Sequence, residues 1–240
     1  PTDWMNKDKY DKPYQRQSET DDHAAIRALI MYPMNALVED QLTRLREALD
    51  SDDVRSYLDE TFGGNRIFFG QYNGSTIGGG KTIGDYKLLA ADKRRKAYEG
   101  IAKQVKSVKA EYDALVAHIA EKETAMNNAQ TTFGTASDEY KKAKREYKKA
   151  KDAKFISPRL TDQVPCSEMI TRWDMQACPP DILITNYSML SIMMMRHTEK
   201  DMIEKTRKWF TAEDLPEDQR EESKASLRLP RQSGLLYRSR

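Results

Sequence analysis

The sequence predicts an α/β chain, a parallel-sheet domain interrupted by an inserted antiparallel helical hairpin. Two short stretches, the apolar run 28–32 and Asp181-Ile-Leu-Ile-Thr185, are too short for helices, and each leads into an expected helix, the pattern of buried parallel strands. Between them, apolar residues recur at alternating spacings of three and four from Tyr98 to Ile119, a heptad seam. Of the 240 residues, 38% are hydrophobic and 32% charged, lean for one core and suited to a chain with an extended, solvated part.

Taken in order, residues 1–23 are polar, carry Pro1 and Pro13, and read as a lead-in. Residues 24–84 form the first part of the domain. Pro33 cannot donate to a sheet ladder and ends the first strand. Asn35 then caps a helix whose apolar positions are Leu37, Val38, Leu42, Leu45 and Leu49. Residues 54–62 give a second short helix, Gly63-Gly64-Asn65 a turn, and residues 66–69 a second buried strand. The exposed turn that follows contains Asn73, Gly74, Ser75 and Thr76. Gly80-Lys81-Thr82 ends like a phosphate-binding loop, but that loop needs glycine where Ser75 stands, and Gly84 falls where its helix should run. Lys81 and Thr82 are thus a weak nucleotide-binding candidate, and a hinge accounts better for the glycines.

The insertion spans residues 85–154. Its seam, Tyr98, Ile101, Val105, Val108, Tyr112, Leu115 and Ile119, continues in phase to Ala150, with Lys122 interrupting it. One helix of this length would end about 100 Å from its start, yet the chain must return, so a hairpin turning near residues 127–135 is expected, with Thr135 capping the second helix. The insertion holds 17 Lys and Arg against 11 Asp and Glu, while the whole chain carries a net +2. Lys141, Lys142, Lys144, Arg145, Lys148 and Lys149 make the densest basic stretch. Such a face suits a phosphate backbone; the alternative is an ordinary solvated helix face.

Residues 155–212 return to the domain through an extended link at 155–159, a helix over 168–177 capped by Ser167, and the strand 181–185. A methionine-rich helix follows at 189–195, its methionines filling core, then a helix over 201–210 with Met202, Ile203, Thr206, Trp209 and Phe210 inward. Residues 213–240 are an irregular tail. Cys166 and Cys178 lie twelve apart with no His nearby, which suits reduced thiols of a cytoplasmic protein rather than a metal site. No apolar run is long enough to span a membrane.

Tyr32-Pro-Met-Asn-Ala-Leu37 with Asp40-Gln41 resembles motif Ia of superfamily-two helicases of the DEAD/DEAH type, and Pro180-Asp-Ile-Leu-Ile-Thr-Asn-Tyr-Ser-Met-Leu190 resembles their Ib region. With Arg172-Trp-Asp-Met-Gln176, the chain also resembles the large helicases of bacterial phage-defence operons. The resemblance implies an incomplete RecA-like parallel sheet of the P-loop NTPase class, interrupted by a coiled-coil hairpin. It implies nucleic-acid-backbone contacts from Pro33, Asn35, Ala36 and Gln41, from Asn73, Gly74, Ser75 and Thr76, and from Thr185 and Asn186. Asn186-Tyr187-Ser188 replaces the Pro-Gly-Arg usual in DEAD-box relatives, which puts the arginine contact in doubt. The Gly-Lys-Thr loop before motif Ia and the Asp-Glu metal motif after Ib are not found, so the chain reads as a fragment, its tail as a truncation or frameshift product. The expectation is a parent helicase using ATP and Mg²⁺ and acting on nucleic acid, DNA ahead of RNA, with no cofactor bound and no catalytic residue in this piece. The missing remainder of the helicase is then its partner, and a protein partner on the hairpin is also open. The alternatives are a coiled-coil interaction protein and a nucleotide-binding protein using Gly80-Lys81-Thr82.

Overall fold

A computed structural model describes residues 24–33, 38–62, 66–79, 88, 90–160 and 166–211. Its centre is a parallel sheet of four strands, β1 (Ala28–Met31), β2 (Phe69–Gln71), β3 (Glu168–Met169) and β4 (Ile182–Thr185), in the order β1-β4-β2-β3. The seven helices among the described residues are α1 (Val38–Asp50), α2 (Asp52–Phe62), α3 (Ala91–Phe133), α4 (Asp138–Asp152), α5 (Arg172–Ala177), α6 (Tyr187–Met195) and α7 (Lys200–Thr211). This is an α/β architecture compatible with a RecA-like fold. The lead-in 1–23, the tail 213–240, Asn35, Ala36, Lys81 and Thr82 lie outside the described residues.

Each face of the sheet has its own helices. Val38 and Leu42 of α1 pack on Phe69 and Ile184, with Ile30 and Leu45 beside them. On the other face Leu183 and Met169 meet Met175 of α5, Met189 and Met193 of α6, and Met202 of α7. The methionine run thus supplies core only in part, since Met194 and Met195 are exposed. Phe210, expected inward, is also exposed and lies edge-on to Trp209, ring centroids 5.0 Å apart.

The strands differ from expectation in detail. Among the described residues β1 is an edge strand rather than a buried one, and Leu29 and Met31 are 43% and 52% exposed. The second strand begins at Phe69, not Arg66, because pairing with β4 sets Phe69 opposite Ile182 and Gln71 opposite Ile184. Its middle residue must be glycine: a Cβ on Gly70 would lie 2.6 Å from the Met175 sulfur and 2.8 Å from the Met169 carbonyl oxygen. Glu168 opens β3 instead of a helix. Ser167 therefore caps nothing; its hydroxyl donates to Asp50 at 3.0 Å. The cap of α5 is Thr171, which accepts from the Asp174 amide at 3.1 Å and donates to its carboxylate at 2.6 Å.

Between β2 and β3 the chain makes two helices of unequal length, α3 with 43 residues and α4 with 15. They run antiparallel, the chain reversing between Phe133 and Asp138 so that Lys122 lies 3.5 Å from Glu146. Gly134, at φ +80°, terminates α3, a conformation that disfavours other residues. The cap of α4 is Ser137 rather than Thr135, its hydroxyl accepting from the Tyr140 amide at 3.1 Å. Lys122 keeps the heptad phase, half-buried in the seam, and does not interrupt it. Phe133, in the expected continuation, is exposed.

One seam serves two partners. Near the start of α3, Tyr98, Ile101 and Val105 bury against Trp173, with Ile77, Leu160 and Ile170 packed around them, so the first third of the helix belongs to the domain. Beyond Tyr112 the seam faces α4. The extended link at 155–159 starts later than expected: Ala153–Ile156 form a 3-10 turn, and the chain is extended from Ser157. Arg46 of α1 fixes the turn by donating to the carbonyls of Ile156 (2.6 Å) and Phe155 (3.2 Å).

Candidate nucleic-acid interface

In a parallel sheet the carboxyl ends of all strands lie on one edge, where loops collect and helices begin. Because β1, β4 and β2 are neighbours in parallel, that edge gathers Pro33 after β1, Thr185 and Asn186 at the end of β4, and the turn at residues 73–76 after β2. Met31 stands opposite Thr185, and the Tyr32 amide donates to the Thr185 carbonyl at 3.0 Å. Gln41, in the first turns of α1, is half-buried.

The side chains expected to grip a ligand are mostly spent on the edge itself. Thr185 is 1% exposed, and its hydroxyl donates to the Tyr72 carbonyl at 2.6 Å, tying β4 to β2. Asn186 caps α6, its side-chain oxygen accepting from the Met189 amide at 2.7 Å. Asn73 is buried; its side-chain oxygen accepts from the Ser75 amide at 3.0 Å and hydroxyl at 2.7 Å. Thr76 donates to the Gln71 carbonyl at 2.8 Å. These residues shape the edge and do not project from it. Pro33, Gly74, Ser75, Tyr187 and Ser188 are the exposed ones. Tyr187 and Ser188 open α6, where helix geometry leaves the first amides without intrahelical acceptors.

Beneath the turn lies a polar network that sequence reasoning missed. Tyr72 donates to Glu199 at 2.7 Å and accepts from Gln176 at 2.8 Å. Arg196 (2.6 Å) and Thr198 also donate to Glu199, which is buried. Burial, then the hydrogen bond to Glu199 and its negative charge, push the Tyr72 phenol well above its ordinary pKa, so it remains a donor. The Arg172 guanidinium lies 5.1 Å from the Tyr72 ring centre and donates to the Asn73 carbonyl. Arg172 and Gln176 stand in the motif quoted from the sequence; nothing local marks Glu199, a glutamate in an ordinary polar turn.

A second polar cluster clamps the hairpin root. Arg46 meets Glu168 through two hydrogen bonds, 2.6 and 2.9 Å, both side chains buried. Burial raises the Glu168 carboxyl, opposed by Arg46. Burial likewise raises Asp50, opposed by Arg55 and Ser167. Asp52 is the reverse case: burial works to raise it, but hydrogen bonds from Lys154 (2.8 Å) and Arg159 prevail and hold it at about 2. Beside this clamp, α3 and the domain border an open cleft of about 690 Å³ lined by Ser75, Thr76, Glu39, Glu111 and His118 among others. Lys141, Lys142, Lys144, Arg145, Lys148 and Lys149 are all exposed on α4, which packs against α3. Among the described residues no helix is long and apolar enough to cross a membrane, and no group of His, Cys, Asp and Glu could hold a metal.

The chain is similar to the Druantia protein DruE of Escherichia coli (strain UMEA 4076-1), with 31% identity over 196 residues. The match takes in 80% of this chain and 10% of that protein, so the chain spans about a tenth of the relative's length. No family model matches the chain, and no solved structure matches it.

Proposed function

We propose that this chain is part of the first motor domain of an ATP-driven nucleic-acid helicase or translocase serving phage defence, and that its share of the work is to hold the nucleic-acid backbone. The likeness to DruE supports the defence role. The observation that carries the grip is the gathering of three loops, after β1, β4 and β2, on one carboxyl edge. The contacts come from the exposed turn at Gly74 and Ser75 and from the start of α6, whose amides at Tyr187 and Ser188 suit a phosphate. Phosphate contacts carry no base information, which a motor moving along any sequence requires. Pro33 extends the edge, and Asn35 and Ala36 lie outside the described residues. The basic strip of α4 adds a long-range, salt-sensitive attraction. ATP and Mg²⁺ act, on this reading, in the longer protein, and no step here passes through Lys81 or Thr82.

The test is binding of a labelled single-stranded oligonucleotide by the 240-residue chain across a salt series. A Cβ on Gly74 would meet nothing within 4 Å, so Gly74→Glu leaves the fold intact while setting a carboxylate among the phosphates. Gly74→Glu and Ser188→Glu are each expected to weaken binding at least about tenfold, the effect of losing one or two charge-assisted contacts, with unchanged melting temperature. Neutralising Lys141, Lys142, Lys148 and Lys149 should flatten the salt slope. Wild-type affinity in both glutamate variants would overturn the reading. A protein partner on the hairpin is a second reading, favoured by Val116 and Phe133, which are exposed beyond the root of α3.

A further inference from the structure

We infer that Arg172 and Trp173, adjacent at the start of α5, are positioning residues of this grip: together they tie the turn at residues 73–76 to the seating of the hairpin. The inference rests on the reading of that turn as a backbone contact.

Residues 72–79 are laid along the start of α5. At one end, the Arg172 guanidinium donates to the Asn73 carbonyl and lies over the Tyr72 ring. At the other, the Arg172 amide donates to the Ile77 carbonyl at 2.8 Å, and Ile77 bridges Thr171 in parallel. Gly78, at φ +86°, presses on the Trp173 indole, a Cβ there falling 3.4 Å from the ring. Both ends of the turn are therefore held by two consecutive residues.

The same indole carries the hairpin. Tyr98 of α3 meets Trp173 edge to face, centroids 5.4 Å apart and planes at 87°, with Ile101 and Val105 in the same cluster. Aromatic edge-to-face packing is directional, so Tyr98 cannot move off without letting the indole turn. Trp173 is 1% exposed and packed among Tyr98, Ile101 and Val105, and a close-packed interior resists its turning while Tyr98 stays.

Arg172 is poorly suited to a purely stabilising role. It is buried, and its Nε has no hydrogen-bond partner among the described residues. A buried guanidinium left partly unpaired weakens a fold. What it achieves is local: it fixes the carbonyl at the base of the exposed Gly74–Ser75 tip. Displacing the hairpin root thus loosens the tip through Trp173 and Arg172, two side chains that touch no nucleic acid themselves.

The test is hydrogen exchange by mass spectrometry on the full chain, with oligonucleotide affinity measured in parallel. Tyr98→Leu removes the ring while keeping apolar volume, and Arg172→Lys keeps the charge while losing the fork. Each is expected to speed exchange in the 72–79 peptide by about tenfold or more, with the 182–185 peptide of β4 unchanged. Tyr98→Phe keeps the edge-to-face ring and should exchange as wild type. Unchanged protection of 72–79 in Tyr98→Leu overturns the coupling, as does loss of protection spread evenly over 72–79 and 182–185, which is a general loss of stability. If the coupling holds, both variants also bind oligonucleotide more weakly, and Tyr98→Phe restores affinity. A wild-type chain that binds no oligonucleotide defeats the functional reading, while the exchange result still decides the coupling.

Discussion

At the scale of single residues, the edge is built by side chains that look like ligand contacts and serve as joints. Thr185 is the clearest: its hydroxyl closes β4 onto the Tyr72 carbonyl. Thr185→Val keeps the shape but strands that carbonyl, and is expected to lower stability by about 1–3 kcal/mol in urea unfolding. A drop in nucleic-acid affinity in this variant would then report the fold and not a lost contact. The Arg46–Glu168 pair makes a second case. Arg46→Ala leaves a buried carboxylate and two unserved carbonyls, and should be destabilised by about 3–5 kcal/mol. Arg46→Met with Glu168→Met should recover much of that loss, since the carboxylate is gone while the carbonyls remain unserved. If the double variant is the less stable of the two, the pair is not held together by its own charge balance. Neither pairing was legible beforehand, because Arg46 sits 122 positions from Glu168 and each is unremarkable on its own helix or strand.

At the scale of elements, the sequence spoke clearly where a period ran long and poorly where an element was short. The heptad seam foretold α3 and α4, and the Pro33 stop foretold the end of β1 within a residue. β3, with two residues, has no period to read, and Ser167 before Glu168 imitates a helix cap. For the same reason the start of β2 is not legible in the sequence: its limits come from pairing with β4, which only the folded sheet defines. Lys122 shows the limit of pattern from the other side. It occupies a seam position, half-buried, with Glu146 3.5 Å away and half exposed. Exposed ion pairs contribute about 0–1 kcal/mol, whereas burying a leucine there gains about 1 kcal/mol or more. Lys122→Leu is therefore expected to raise the melting temperature of the chain, read by circular dichroism; a lowered one would mean that the pair sets the register of the two helices.

At the scale of the whole molecule, stability near the hairpin root depends on acid in two opposed ways. Asp52 is held at about 2 against an ordinary 3.8, so its contribution is complete above about pH 4 and disappears as the pH falls toward 2. Asp50 and Glu168 are shifted upward by burial, so their protonated forms favour the fold and stability declines as the pH rises above their ordinary values. Thermal melts between pH 2 and 4 should lose their pH dependence in part in Asp52→Asn. An unchanged slope would show that Lys154 and Arg159 do not engage Asp52 in solution.

That clamp sits at one end of a long arm. With 43 residues, α3 extends about 65 Å. Its first third rests on Trp173, and α4 braces it beyond Tyr112. A tilt of about 5° at the root would carry the far end of such an arm through about 6 Å, while the packed side chains at Tyr98 shift by less than an ångström. The molecule is in this sense a pointer with a short handle. On that geometry a sub-ångström shift at the root would be a displacement at Gly134 wide enough for a spin label or a fluorophore pair to follow.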